Sequence, residues 1–115
     1  MEAFIRNVTF DAARPDELAR FWAGALGWLQ DGTRVESPSG GAPRLNFEPV
    51  EDPKLGKNRV HLDVNVDDRE AHVQRLVGLG ATKVADVDDE GGEYGWTVMQ
   101  DPEGNEFCVV ALEPL

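Results

Sequence analysis

The sequence predicts an α+β domain built from two βαβββ modules with two main helices, and three observations point there. The order strand, helix, three strands can be followed twice along the 115 residues. Both helical stretches stop at a Leu-Gly pair, Leu26-Gly27 and Leu79-Gly80. Each module opens on an alternating segment: Val8 and Phe10 against Asn7 and Thr9, then Val60, Leu62, Val64 and Val66 against His61, Asp63 and Asn65. A period of two is the mark of a strand with one apolar and one polar face.

In chain order, the first strand covers Phe4 to Phe10, and Asp11 to Arg14 make a turn. Pro15 suits the first turn of a helix and Asp16 and Glu17 favour its positive end, while Leu18, Phe21, Trp22, Ala25 and Leu26 fall near one face. Phe21, Trp22 and Leu26 are assigned to the core. Short strands follow at Trp28 to Gln30, Arg34 to Ser37 and Arg44 to Glu48, interrupted by Asp31-Gly32 and by Pro38 to Pro43. In the second module the strand Arg59 to Val66 leads to an acidic helix start at Asp67-Asp68 and a helix carrying Val73, Leu76 and Val77. Strands are expected at Thr82 to Val87, Tyr94 to Met99 and Glu106 to Leu112, with an acidic hairpin tip at Asp88 to Gly92 and a tight turn at Asp101 to Gly104. The Pro- and Lys-containing stretch Val50 to Asn58 holds a linker at about residues 53–58, with module 1 at about 1–52 and module 2 at about 59–115.

Composition bounds the function. A chain of 115 residues suits a single domain that buries roughly two-thirds of its unfolded surface. The net charge of -11 opposes phosphate backbones and anionic membranes, so neither nucleic acid nor a membrane is an expected partner. No apolar run approaches the roughly 18 residues of a membrane helix. One cysteine, Cys108, allows no intrachain disulfide, and no apolar signal core precedes the first strand; a cytoplasmic protein is expected. Gly40-Gly41 and Gly91-Gly92 lack the strand-to-helix setting of a phosphate loop, and the acidic run from Asp86 to Glu93 lacks the ligand spacing of a calcium loop.

Together, the duplication, Phe21-Trp22 with Leu26-Gly27, HLD at His61 to Asp63 and DPEGNEF at Asp101 to Phe107 resemble the vicinal oxygen chelate superfamily of glyoxalases, bleomycin-resistance proteins and dioxygenases. The likeness spans the chain and is closest to the small glyoxalase-like members. It implies that the modules form a curved eight-stranded mixed sheet, a cup with helices on the outside, in which many members hold a divalent metal. It places Asn7 where metal-dependent members have His or Gln, the carboxylate position of the first module at Asn46 or Glu48, the ligand histidine at His61, and the closing glutamate position at Cys108, with Glu106 two residues earlier on the same face. Asn and a neutral thiol serve Mg²⁺ and Mn²⁺ poorly. A degenerate site without metal is therefore expected; the alternative is Zn²⁺ held by His61, Cys108 and Glu106 or Glu48.

The resemblance implies a small polar metabolite in the cup, with Asn7, Thr9, Asn46, Glu48, Asp63 and Cys108 offering ligand-binding groups. If the domain is catalytic, His61 moves the proton, assisted by Glu106 or Asp63. Two rivals stay open: a metal-dependent lyase, isomerase or dioxygenase, and a drug-sequestering protein of the bleomycin-resistance kind that binds without turnover. A symmetric homodimer is also expected, since paired modules of this kind often leave a sheet edge to be covered.

Overall fold

In this computed structural model residues 5–51, 58, 60–88 and 95–111 are described. The elements are β1 (Asn7–Ala12), α1 (Pro15–Leu26), β2 (Leu29–Asp31), β3 (Arg34–Glu36), β4 (Arg44–Pro49), β5 (Leu62–Val66), α2 (Arg69–Leu79), β6 (Thr82–Val87), β7 (Trp96–Gln100) and β8 (Glu106–Ala111). The chain divides into two units, Met1–Lys54 and Leu55–Leu115. Among the described residues the eight strands form two four-stranded sheets, ordered β1-β4-β3-β2 and β5-β8-β7-β6. The two orders are one topology written twice. In each unit the first strand pairs in parallel with the last, and the remaining pairs are antiparallel. A parallel pair requires a crossover, and the helix of each module supplies it.

In the first unit α1 begins at Pro15, whose missing N–H costs a helix nothing there, and stops at Gly27, which takes φ 68° and donates its N–H to the Ala23 carbonyl. Leu18, Ala19, Phe21, Trp22 and Ala25 are buried on one stripe. Trp22 meets Phe10 with ring centroids 5.9 Å apart, and Phe10 meets Phe47 at 5.1 Å. Val35, Leu45, Phe47 and Trp22 are all but excluded from solvent, and residues of this kind each contribute about 1.5–3 kcal/mol by leaving water. The opposite face of this sheet, carrying Asn7, Thr9, Asn46 and Glu48, is polar.

The second unit repeats the plan with a different cap. Asp68 closes the start of α2 by accepting from the Ala71 N–H at 3.1 Å, and Gly80 ends it at φ 116°. Val73 and Leu76 are buried with Val66, Met99, Phe107 and Val109. In β6 the register steps from Lys83↔Met99 to Ala85↔Val98, so Val84 is an extra residue, a bulge. The step brings Lys83 and Asp86 to one side: Lys83 Nζ lies 2.6 Å from Asp86 Oδ2, and the buried Thr97 hydroxyl donates to Asp86 Oδ1 at 2.7 Å.

Several boundaries differ from expectation. Asp11 and Ala12, read as a turn, continue β1 because β4 runs on beside them to Glu48 and Pro49. β5 starts at Leu62 rather than Arg59; Val60 is 74% exposed, so the alternation there does not signal burial. Val77 is 45% exposed, as Val73 and Leu76 already fill the narrow buried stripe of α2, and Leu26 is only half-buried. β7 begins at Trp96. Phe4, Arg59, Tyr94, Leu112, the hairpin tip beyond Asp88 and most of the linker lie outside the described residues.

Candidate functional site

Strand register builds the site in the second unit. Asp63 pairs with Cys108 and Cys108 with Val98, a row crossing three strands; Asn65, Val110 and Trp96 form the next row. Paired residues project to the same face of a sheet, and Val64, Phe107, Val109, Thr97 and Met99 take the side on which α2 sits. The other side, where no helix of this unit lies among the described residues, is the open face. His61 and Glu106 immediately precede the paired Leu62 and Phe107 and share the open face with Asp63 and Cys108. The result is a hollow of about 500 Å³ lined by His61, Asp63, Trp96, Val98, Glu106, Cys108 and Val110. That volume lies within the range of about 300–1,000 Å³ typical of small-molecule pockets. Asp63 and Cys108 gather around His61, while Trp96, Val98 and Val110 give an apolar floor.

His61 Nε2 stands 3.4 Å from Asp63 Oδ1, with both side chains more than half exposed. Asp63 is thus a direct neighbour of His61, within ion-pairing distance of its imidazole. Cys108 is 9% exposed. One donor atom each from His61, Asp63 and Cys108 lie within 4.8 Å of one another. This mixed nitrogen, oxygen and sulfur set fits Zn²⁺ and not Mg²⁺ or Ca²⁺, which require several oxygens. Two of its members, His61 and Cys108, belong to the zinc set expected from sequence, and Asp63 joins them.

The turn before β8 is built around a buried carboxylate. Asp101, 3% exposed, accepts from the backbone N–H of Glu103 and of Asn105, each at 2.9 Å, and from the Asn105 side-chain amide at 3.1 and 2.9 Å. Gly104 takes φ 86° and donates to the Asp101 carbonyl at 2.9 Å. DPEGN is thus a framework motif: Asp and Asn are there for the turn, and Glu106 and Cys108 leave it at fixed positions on the open face.

In the first unit Asn7 Oδ1 accepts from Arg44 Nε at 3.1 Å, and Arg44 and Arg34 each approach Glu36 at 3.8 Å. The Asn7 oxygen, the atom a metal would use, is thereby engaged by a cation. Thr9 pairs with Asn46 and Asp11 with Glu48 along the parallel ladder, so these side chains share one polar face. Sequence reasoning did not single out Arg34 or Arg44, nor Val98 and Val110. The signal for Val110 was available in its parity with Glu106 and Cys108, whereas WTVMQ offers apolar residues at both parities and hides which set faces the hollow.

Two βαβββ units of one topology, with a ligand-sized hollow on the second sheet, define the class: a domain of the glyoxalase, bleomycin-resistance and dioxygenase type. The glyoxalase-like domain model matches residues 7–110, and the chain belongs to that family. Similar solved structures include a glyoxalase/bleomycin resistance protein/dioxygenase family enzyme from Burkholderia phytofirmans PsJN, with 17% identity, TM-score 0.73 and coverage of 96% of this chain and 100% of that one. A superfamily member from Sphaerobacter thermophilus DSM 20745 shares 18% identity at TM-score 0.70, covering 96% and 98%. A fosfomycin resistance protein from Mesorhizobium loti shares 14% at TM-score 0.70, covering 98% and 94%. At such identities the likeness shows the fold alone. No curated protein matches the chain significantly. Among the described residues no helix is long and apolar enough to cross a membrane.

Proposed function

We propose that the chain is a glyoxalase-like small-molecule-binding domain whose ligand occupies the hollow on the second sheet, with His61 as the proton-carrying group. The observation that supports this reading is the convergence of His61, Asp63, Glu106 and Cys108 beside an apolar floor in one space of ligand size. His61 would accept a proton from an acidic C–H or O–H of the ligand, and Asp63 would stabilise the imidazolium so formed. Glu106 would hold or return the proton on the same wall. A cytoplasmic homodimer is the expected setting of this reading. Relatives include both enzymes and resistance proteins by name, so conversion of a small molecule and drug resistance are both kept as readings of the hollow.

The test takes the hits of a thermal-shift screen into calorimetry with wild type, His61→Ala and the helix-surface control Arg75→Ala. His61→Ala is expected to lose most of the affinity while its stability changes by less than about 2 kcal/mol, because an exposed side chain is removed. Equal affinity in all three proteins would return His61 to a structural role. Product analysis of the incubated ligand separates an enzyme from a sequestering protein.

A second reading has its own support in the His61, Asp63 and Cys108 cluster. These residues would hold Zn²⁺, which when bound supplies Lewis acidity toward a carbonyl oxygen or a water. Elemental analysis of protein purified without chelator decides it: far less than one ion per chain is expected, and stoichiometric zinc lost in Cys108→Ala would select this reading instead.

A further inference from the structure

We propose that the hollow on the second sheet selects organic cations: a protonated amine, amidine or quaternary ammonium carried on a flat apolar body. This inference rests on reading the hollow as a ligand site and adds the class of ligand. Among the described residues that line the space there is no Lys and no Arg. Among the same described residues two are carboxylates, Asp63 and Glu106, and one is a base, His61, placed 3.4 Å from Asp63. Both acidic residues are present in either state of His61, and none of these described residues brings a fixed positive charge. An anionic ligand would meet a like charge, whereas a cation would meet a carboxylate.

The remainder of the lining selects the body of the ligand. Trp96 is 36% exposed, in contrast to Trp22 at 1%, and shares its row with Val110 across the ladder. Its indole is therefore available to a ligand, and indole is the aromatic surface that attracts cations best. Val98, Val110 and the Cys108 side chain continue an apolar surface on which a ring can lie. The overall charge of -11 acts in the same direction, raising the local concentration of cations and lowering that of anions.

Benzamidinium, benzamide and benzoate share shape and differ in charge, and form the probe set. Affinities are read by NMR titration on the Trp96 indole N–H, assigned through Trp96→Phe. Benzamidinium is expected to bind about tenfold more tightly than benzamide, the scale of one or two half-exposed charge pairs, and benzoate more weakly than either. Asp63→Asn combined with Glu106→Gln should bring benzamidinium to the benzamide level and leave benzamide unchanged. Because that variant alters the wall itself, salt gives a check on wild type alone: about 1 M NaCl, where charges are screened over about 3 Å, should erase the benzamidinium advantage. Equal binding of the three probes at the Trp96 signal would overturn charge selection while leaving the ligand site standing. Absence of any Trp96 response to all three would count against the ligand site itself and the inference with it.

Discussion

Replacing Asp101 by Ala tests the claim that the DPEGN motif is framework rather than chemistry. The wild-type carboxylate receives two backbone N–H groups at 2.9 Å and the Asn105 amide, within a residue that is 3% exposed. Truncation removes the acceptor of both backbone donors. A hydrogen bond to a charged acceptor contributes about 1.5–3 kcal/mol, and water reaching the exposed Pro102 side of the turn favours the low end, giving about 3 kcal/mol for the pair. For a domain of this size that corresponds to a fall in melting temperature of about 12 °C. Asp101→Asn keeps one acceptor oxygen without the charge and should cost about half as much, and Asn105→Ala, which removes the side-chain amide and keeps both backbone donors, about 1 kcal/mol. Urea denaturation followed by tryptophan fluorescence measures this, Trp22 being the buried reporter, with an unchanged slope as the condition for comparing midpoints. A loss below about 1 kcal/mol for Asp101→Ala would refute the reasoning, since it would mean that water satisfies the turn as well as the carboxylate does.

Asp86 provides a pH test. Lys83 first, and then the Thr97 hydroxyl, hold its carboxyl below the ordinary 3.8. A lowered folded-state value favours the folded protein above 3.8, and this contribution is lost as pH falls through the lower folded value. Acid titrations of wild type and Asp86→Asn followed by circular dichroism should therefore run closer together at the acid end than at neutral pH, and a constant offset would contradict the assignment. In solution a symmetric dimer is expected, because β6 ends the second sheet and Val84 on its bulge is 50% exposed; light scattering that gives a monomer mass over a broad concentration range would remove this expectation.

Local chemistry determined much of this protein in advance. Pro15, Gly27, Asp68 and Gly80 mark helix ends because capping depends on a few neighbouring backbone groups, and the structure has these residues at those ends. The repeated element order likewise announced two like units, since period and turn residues are read along the chain. Tertiary structure alone decided the open face. Whether Trp96 or Thr97 points into the hollow depends on pairing Trp96 with Val110, a contact made across strands and invisible to a segment that is apolar at both parities. The Asp11 to Ala12 extension of β1 likewise depends on Glu48 and Pro49 continuing beside it, because a strand ends where its partner ends rather than where its own turn residues begin. The join of His61 to Asp63 has the same origin: strand alternation puts both on one side, but only the path of the chain before Leu62 brings the imidazole to 3.4 Å from the carboxylate. Alternation supplies the candidates, and register, which is non-local, selects the ones that meet.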